Sequence, residues 1–317
     1  MGFFMTQIRG DSLINYYKPE KASNSNNLQK IRDSGIEVET YKGQITKRAK
    51  KEIQKTLFNW AWAYEIGSQK KSIEYKSNLY FLTLTLPSQQ WHDDWEITQT
   101  CLNTFITGIK YRYALKNFLW KAEKQNNSNL HYHFVIDKRI DAAEVRKFWN
   151  DCINKLDYVS NYRMDRRYFF RNGFRVDEKL LSKYDEQKQR QWYEYGKATF
   201  WSNPRTIDVV ECDNARKIGV YLSKYVSKSD GEQMINGRVW SRSRELAKIG
   251  YFSKEFTDLE RKEFDSILQL TSNEIVINEF VQILDIPGVM DEVLKLPYLG
   301  RKVKFHYNLL YNKLIAS

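Results

Sequence analysis

Residues 129–137 read NLHYHFVID, and two of the protein's four histidines, His131 and His133, stand there at alternate positions. Alternation is typical of a β-strand, in which successive side chains point to opposite faces of the sheet. The two imidazoles therefore share one face, and the opposite face is apolar, with Tyr132, Phe134 and Ile136. Two imidazoles side by side on a rigid strand provide part of a site for a divalent metal ion.

A second strand is predicted directly before the first, over residues 119–125, because the intervening NNSN is a run of turn formers. A hairpin that turns at this run places Glu123 opposite His131 and Lys121 opposite His133. Glu123 then shares the histidines' face and is the third candidate ligand. Two alternating histidines alone are more often ordinary surface residues, so the rest of the chain decides between the two interpretations.

The composition favours a polyanionic partner. Lysine and arginine together number 51 against 39 acidic residues, which gives a net charge of +12. Aromatic residues make up 15% of the chain, and many stand beside arginines. This mixture suits nucleic acid, whose bases stack on rings while its phosphates meet cations. It also fits an ordinary core with a soluble surface, and composition alone leaves both interpretations open.

The cysteines and the hydropathy pattern predict a cytoplasmic location. Cys101, Cys152 and Cys212 are an odd number without close pairing, which is typical of a reducing compartment. The sequence contains neither a signal peptide nor an apolar run of about 18 residues, so no membrane partner is expected.

The order of the predicted elements indicates an α+β fold. Apolar residues at helical or strand spacing predict a helix at 47–64, a strand at 79–86, a helix at 97–113, the hairpin at 119–137 and a helix at 141–153. A helix followed by a hairpin implies a central antiparallel sheet with helices on one face, as in ferredoxin-like folds. Residues 1–45 are expected to be irregular.

A basic and aromatic insertion is predicted at about residues 160–202, between core elements. Arg163, Arg166 and Arg167 open it, and they are candidate contacts to nucleic acid. A polar helix is expected from Asp177 to Phe200.

A second chemical pattern stands at residues 215–228, which read ARKIGVYLSKYVSK. As a helix, this segment buries one apolar stripe and places Tyr221, Tyr225 and Lys228 together on an adjacent face. An amphipathic helix with tyrosines at its boundary has the same pattern. The segment indicates chemistry only in combination with the histidine strand.

Taken together, FLTLT at 81–85, HYH at 131–133 and YLSKYVSK at 221–228 resemble the three motifs of the HUH endonuclease superfamily. The resemblance covers roughly residues 47–250 and is strongest to the rolling-circle replication initiators (Rep proteins) of bacterial phages and plasmids. It implies a ferredoxin-like nuclease core of the kind predicted above.

The resemblance also implies roles for individual residues. The expected ligands of Mg²⁺ or Mn²⁺ are His131, His133 and Glu123. The expected catalytic residues are Tyr221 as the nucleophile, Tyr225 as a second nucleophile and Lys224 as their assistant. Lys228 joins the three arginines of the insertion as an expected DNA contact.

The implied activity is site-specific nicking and rejoining of single-stranded DNA through a 5′-phosphotyrosine, which starts and ends rolling-circle replication. The implied partners are single-stranded DNA at an origin with a stem-loop, and a host helicase and polymerase, in the cytoplasm of a bacterial cell. A host helicase is needed because the sequence lacks the Gly-x-x-x-x-Gly-Lys phosphate-binding motif.

Three regions are predicted: an N-terminal basic helical region at 1–75, the HUH endonuclease domain at 76–250, and a C-terminal helical appendage at 251–317. A relaxase or an HUH transposase is an alternative, although relaxases usually carry the tyrosine before the histidines and such transposases are much shorter. A non-catalytic nucleic-acid-binding protein is the alternative from another class.

Overall fold

Two five-stranded antiparallel sheets organise the chain. The computed structural model describes residues 2–9, 12–19, 43–68, 79–212, 234–268, 273–278, 281–286 and 288–316. In chain order, the strands are β1 (Gly2–Arg9), β2 (Ser12–Pro19), β3 (Leu79–Leu84), β4 (Phe118–Lys124), β5 (Leu130–Ile136), β6 (Ile207–Cys212), β7 (Trp240–Arg242), β8 (Ser253–Lys254), β9 (Asn273–Asn278) and β10 (Val281–Asp285).

The helices described are α1 (Lys47–Ser68), α2 (Asp94–Ile97), α3 (Asn103–Arg112), α4 (Ala142–Ile153), α5 (Tyr158–Phe169), α6 (Glu186–Ala198), α7 (Asp258–Leu268), α8 (Val289–Lys295) and α9 (Leu299–Ala316). A π-helical turn, Thr98–Leu102, joins α2 to α3. None of the helices in the described ranges is both long enough and apolar enough to cross a bilayer.

The central sheet has the order β6-β3-β5-β4-β7 and contains the histidine strand. This sheet confirms the predicted α+β fold with a central antiparallel sheet. The order strand, helix, hairpin, helix is also as predicted, since α2, α3 and the π-helical turn lie between β3 and β4, and α4 follows β5.

The apolar face of the sheet carries these helices because it offers them a continuous hydrophobic surface. Tyr132 is fully buried, and its hydroxyl lies 3.0 Å from the hydroxyl of Thr98 in the π-helical turn. Trp149 of α4 packs edge-on against Tyr132, with ring centroids 6.3 Å apart. Asp141 accepts a hydrogen bond from the backbone N–H of Glu144, so it caps α4 as its position predicts.

The opposite face of the sheet is partly covered by α1. Arg242 of β7 pairs with Leu119 of β4 and donates a hydrogen bond to Glu52 of α1. Tyr64 of α1 donates to Asp137 at the end of β5, at 2.8 Å. The apolar residues that predicted this helix are all buried, namely Ile53, Leu57, Trp60, Ala61 and Tyr64.

The second sheet has the order β8-β1-β2-β10-β9 and was not predicted. β1 and β2 form a hairpin, so the expectation of an irregular chain over residues 1–45 is wrong for this segment. The C-terminal tail contains helices as expected, namely α7, α8 and α9, but β9 (Asn273–Asn278) and β10 (Val281–Asp285) lie where helix was expected. The pairing of β2 with β10 joins segments more than 250 residues apart, and such distant pairing leaves no local signal in the sequence.

The basic insertion consists of α5, a 3₁₀ turn at Glu178–Leu180, and α6. The predicted helix over 177–200 is therefore interrupted. Asp185 accepts a hydrogen bond from the backbone of Lys188 and begins α6 eight residues later than expected. The division of the chain into three regions stays a prediction.

Candidate metal centre

The β4–β5 hairpin brings the three predicted ligands together. Glu123 pairs with His131 and Lys121 pairs with His133, which is the predicted register. Gln125 donates its backbone N–H to Asn129 and continues the pairing into the turn. Because cross-strand partners place their side chains on one face, Glu123, His131 and His133 form a cluster.

The cluster is compact enough to hold one metal ion. Each of the three residues offers a ligand atom, and these atoms lie within 4.8 Å of one another. The imidazoles of His131 and His133 are stacked, with ring centroids 4.5 Å apart. Nε2 of His133 lies 2.8 Å from Oε1 of Glu123. Two nitrogens and one carboxylate oxygen are donors that divalent transition metals accept.

Burial sets the charges of the cluster. It lowers the pKa of His131 to about 4, assisted by the nearby His133 and opposed by Glu123. Burial alone raises the pKa of Glu123, but the hydrogen bond from His133 and the positive charges around it outweigh this effect and hold that pKa below its usual value. At neutral pH the cluster therefore offers a neutral imidazole beside a carboxylate, which is the protonation state that metal binding requires.

An unsatisfied atom at the cluster fits a metal ion. Nε2 of His131 is buried and has no hydrogen-bond partner in the described part of the chain. On the other side of the ring, Nε2 of the Gln125 side-chain amide lies 2.7 Å from Nδ1. In this orientation the amide nitrogen donates to Nδ1; turning the amide over would let its oxygen accept from Nδ1–H and would leave the lone pair of Nε2 of His131 for a ligand. Other buried polar atoms of the described residues also lack a partner, so this nitrogen fits a bound ion only in combination with the two neighbouring ligand atoms.

Thr83 of β3 and Thr85, which directly follows that strand, support the cluster from the next strand. Thr83 pairs with His133, and its hydroxyl lies 3.4 Å from Nδ1 of that imidazole. The hydroxyl of Thr85 lies 3.4 Å from Oε1 of Gln125. Both threonines belong to the FLTLT motif. Their contacts give this motif a structural role that its sequence alone does not reveal.

Sequence reasoning missed Gln125 and the two threonines as partners of the imidazoles. The signal was present, because Gln125 is two residues after Glu123 and therefore faces the same side of β4. Thr83 and Thr85 alternate in the same way. Polar residues at every second position of adjacent strands identify the whole face, whereas a search for ligands alone finds three of its members.

A buried lysine and an edge strand complete the surroundings of the cluster. Lys121 is 4% exposed, and its Nζ lies 4.0 Å from Oε2 of Glu123. Trp240 of β7 pairs with Lys121, and Val239 accepts a hydrogen bond from the backbone of Ala122. The segment at 237–241, which reads GRVWS, thus lies beside β4.

The other predicted site residues lie in two places. Tyr221, Lys224, Tyr225 and Lys228 fall outside the described residues, and their roles stay predictions. The three predicted DNA-binding arginines are on α5. Arg163 and Arg167 are exposed, and Arg166 is half-buried with its guanidinium 5.5 Å from the ring of Tyr162.

Comparison with known proteins gives one match. Residues 79–230, just under half of the chain, match the family model described as Replication-associated protein ORF2/G2P. This match supports a replication initiator, and hence a role in DNA replication with DNA as the partner. No curated protein and no solved structure gives a significant match.

Proposed function

We propose that this protein is an HUH tyrosine nuclease that nicks and rejoins single-stranded DNA at a replication origin. It starts and ends rolling-circle replication in the cytoplasm of a bacterial host. The observation that carries this proposal is the cluster of Glu123, His131 and His133, which lies inside the segment that matches the replication-associated family.

The cluster is the proposed site of Mg²⁺ or Mn²⁺. A divalent ion bound there withdraws charge from a non-bridging phosphate oxygen and helps to orient the scissile bond. The ligand set contains two nitrogens, and Mg²⁺ prefers oxygen ligands, so the binding affinity should be higher for Mn²⁺.

Tyr221 is the proposed nucleophile. Its phenolic oxygen attacks the phosphorus, a P–O bond to tyrosine forms, and the bond from phosphorus to the 3′-oxygen breaks. The phenol loses one proton and the 3′-oxygen takes one up, so the products are a 5′-phosphotyrosine and a free 3′-hydroxyl. A phenol with an ordinary pKa of about 10 is a weak nucleophile at neutral pH, so the positive charge of Lys224 favours its deprotonation.

Tyr225 is proposed to carry out a second strand transfer. The phosphotyrosine bond retains the energy of the original phosphodiester, and the same chemistry can rejoin strands at the end of a round. A host polymerase extends the 3′-hydroxyl, and a host helicase opens the duplex. Lys228 and the exposed arginines of α5 neutralise phosphates of the bound strand.

A covalent-adduct assay tests the proposal. The full-length protein is incubated with Mn²⁺ and labelled stem-loop oligonucleotides that tile the DNA carrying its gene, and the products are separated under denaturing conditions. The wild type should form a denaturant-resistant protein–DNA species. Replacement of both Tyr221 and Tyr225 by Phe should abolish it. Tyr111→Phe is the matched control, because Tyr111 is 91% exposed on α3.

The metal requirement has a separate test. His131→Ala should reduce Mn²⁺-dependent nicking by more than about 100-fold, because metal assistance contributes several kcal/mol to such reactions. Affinity for the oligonucleotide in EDTA should change little. An adduct that survives the double Tyr→Phe replacement contradicts the tyrosine assignment. Binding without any cleavage under all conditions indicates a non-catalytic DNA-binding protein.

A further inference from the structure

The basic insertion folds against the core and encloses a cleft of about 420 Å³. One wall comes from α5 and α6. The other comes from residues that directly follow β3, Leu86 and Pro87, and from the segment 203–205 that precedes β6. Its volume falls within the range of about 300–1,000 Å³ that is usual for sites of small ligands. We call it the insertion cleft.

Aromatic rings line much of the insertion cleft. Phe170 and Trp201 are nearly parallel, with an interplanar angle of 14° and ring centroids 5.9 Å apart. Five further rings contribute to the walls, those of Tyr162, Tyr184, Trp192, Tyr193 and Tyr195. Flat apolar rings with polar edges offer stacking surfaces to a planar ligand.

A buried donor in the cleft lacks a partner. Nε1 of Trp192 is buried and forms no hydrogen bond with any described residue. An indole N–H can only donate, and leaving it unpaired in a buried site lowers stability. An acceptor on a ligand in the cleft would satisfy this N–H.

Positive charge surrounds the same rings. The guanidinium of Arg205 lies 5.3 Å from the ring of Tyr195, and that of Arg166 lies 5.5 Å from the ring of Tyr162. In the described part of the chain, neither arginine forms an ion pair with a carboxylate, although other arginines do. Asp177 also lines the cleft, so the cleft has two arginines against one acid. An anionic ligand with an aromatic part suits this arrangement.

The insertion cleft is adjacent to the metal centre along β3. Thr85 contacts Gln125 of the metal centre, and the next two residues, Leu86 and Pro87, line the cleft. Two residues of extended chain span at most about 7 Å, so a short stretch of chain connects the surroundings of the candidate metal centre to the cleft.

We propose that the insertion cleft binds one unpaired nucleotide of the DNA strand, with the base among the rings and the flanking phosphates on Arg166 and Arg205. Single-stranded DNA fits because an unpaired base exposes its faces for stacking and its Watson–Crick edge for the donors, whereas in a duplex the faces are stacked and that edge is paired. An acidic peptide would satisfy the arginines but would leave the rings unused. The choice of DNA rests on the proposed function, while the ligand chemistry rests on the cleft alone.

Binding without metal tests the cleft apart from any cleavage. Fluorescence anisotropy in EDTA measures the affinity of the full-length protein for a labelled single strand of about 16 nucleotides, within the usual range of site sizes. Trp192→Ala should weaken binding by about 5- to 100-fold, which is the range for loss of one stacking contact, and Arg205→Ala should weaken it through loss of a phosphate contact. Trp192→Phe keeps a ring and loses the N–H, so its loss should be smaller than that of Trp192→Ala.

Matched controls and a second readout keep the result interpretable. Arg301→Ala removes an exposed arginine of α9 far along the chain, and its affinity should stay within about twofold of the wild type. Thermal unfolding identifies any variant that fails to fold. If Trp192→Ala fails to fold, Trp192→Phe remains the test. A single strand containing 4-thiothymidine should cross-link to residues 158–205, located by mass spectrometry.

The outcomes separate this inference from the proposed function. Loss of single-strand affinity in the cleft variants supports the cleft even if the wild type forms no covalent adduct. Folded variants with unchanged affinity, or cross-links only outside residues 158–205, overturn it even if nicking is efficient. Equal weakening of single-strand and duplex binding also overturns it, because charge alone then explains the effect.

Discussion

Gln125 is the residue that connects the metal centre to the rest of the sheet. Its side chain lies 2.7 Å from His131 of β5 and 3.4 Å from Thr85, so it links the end of β4 to β5 and, across β5, to the end of β3. The second hydrogen bond of an imidazole fixes the orientation of the ring and determines which nitrogen is available to a metal. Gln125 would therefore act through His131 on a metal bound at the cluster.

Replacing Gln125 by Ala should lower the affinity for Mn²⁺ by about 10- to 100-fold, the usual effect of losing such a partner. Titration calorimetry with Mn²⁺ measures this directly, without DNA and without turnover. Gln191→Ala is the matched control, because Gln191 is an exposed glutamine of α6. Unchanged Mn²⁺ affinity in a folded Gln125→Ala protein contradicts the positioning role.

The β4–β5 hairpin was predictable because its signals are local. The alternating histidines fix which face is polar, and the NNSN run fixes the turn, so the register of Glu123 and His131 follows. In the turn, Ser128 adopts a positive φ of 64°. The helix α1 was predictable for a similar reason, since its apolar stripe repeats at helical spacing and is buried as expected.

The second sheet and the support of the ligands were not predictable by the same means. The strands β1 and β2 depend on β8 and β10, which lie more than 200 residues away, and a short strand is specified by such neighbours more than by its own composition. Residues 275–284 contain enough apolar residues for either a helix or a strand. The insertion cleft likewise forms only when α5 and α6 meet residues 86–87.

The helix α7 begins with a reciprocal pair of hydrogen bonds, a capping box. Glu260 accepts a hydrogen bond from the backbone N–H of Thr257 at 2.9 Å, and Thr257 accepts one in return. The carboxylate of Glu260 is only 1% exposed and also binds Lys254 of β8 and Lys302 of α9. One side chain thus connects the second sheet to two C-terminal helices.

The stability contributed by Glu260 should depend on pH. Burial opposes its charge, but hydrogen bonds from Lys302, Lys254 and Thr257 outweigh burial and lower its pKa to about 2, below the ordinary 4.5. The folded state therefore binds fewer protons than the unfolded state, and this stabilisation is present above about pH 4.5 and lost as the pH falls towards 2.

Glu260→Gln should lower the free energy of unfolding by about 1–3 kcal/mol at pH 7. The loss should be smaller than the pKa shift alone implies, because water screens the charge of the exposed lysine. Below about pH 3 the difference from the wild type should shrink. Urea unfolding at several pH values measures it. Glu292→Gln, which removes a surface pair with Lys295, should cost less than about 0.5 kcal/mol. A loss independent of pH would count against the charged contacts.

The net charge of +12 should make DNA binding depend on salt. Each neutralised phosphate of a single strand contributes about −0.7 to the slope of log affinity against log salt concentration. Anisotropy titrations in EDTA from low to physiological salt should give a steep linear decrease, and Arg205→Ala should make the slope shallower by about 0.7. An affinity that hardly changes with salt would mean that the positive surface does not meet phosphates.

The two ends of the chain meet the central sheet through one buried group of hydrogen bonds. Tyr64 of α1 and Asn117 before β4 both donate to Asp137 after β5. Asn117 also donates to the backbone carbonyl of Leu314 in α9. In addition, Tyr307 of α9 donates to the buried Asn59 of α1. The N- and C-terminal helices therefore pack on each other and on the sheet that carries the metal centre.

This packing predicts how residues 76–250 behave alone. A fragment of residues 76–250 keeps the candidate metal ligands but loses α1 and α9, which exposes apolar side chains of the central sheet and removes the hydrogen bonds from Tyr64 to Asp137 and from Asn117 to Leu314. We expect this fragment to unfold without a sharp transition and to bind Mn²⁺ at least about 100-fold more weakly than the full chain, because an unfolded hairpin does not preform the site. Circular dichroism on heating and calorimetry with Mn²⁺ measure the two effects. A fragment of residues 1–250 tests the contribution of α9 separately, since it keeps α1. Cooperative unfolding and full Mn²⁺ affinity in the 76–250 fragment would instead establish residues 76–250 as an independent domain and make the terminal regions additions to it.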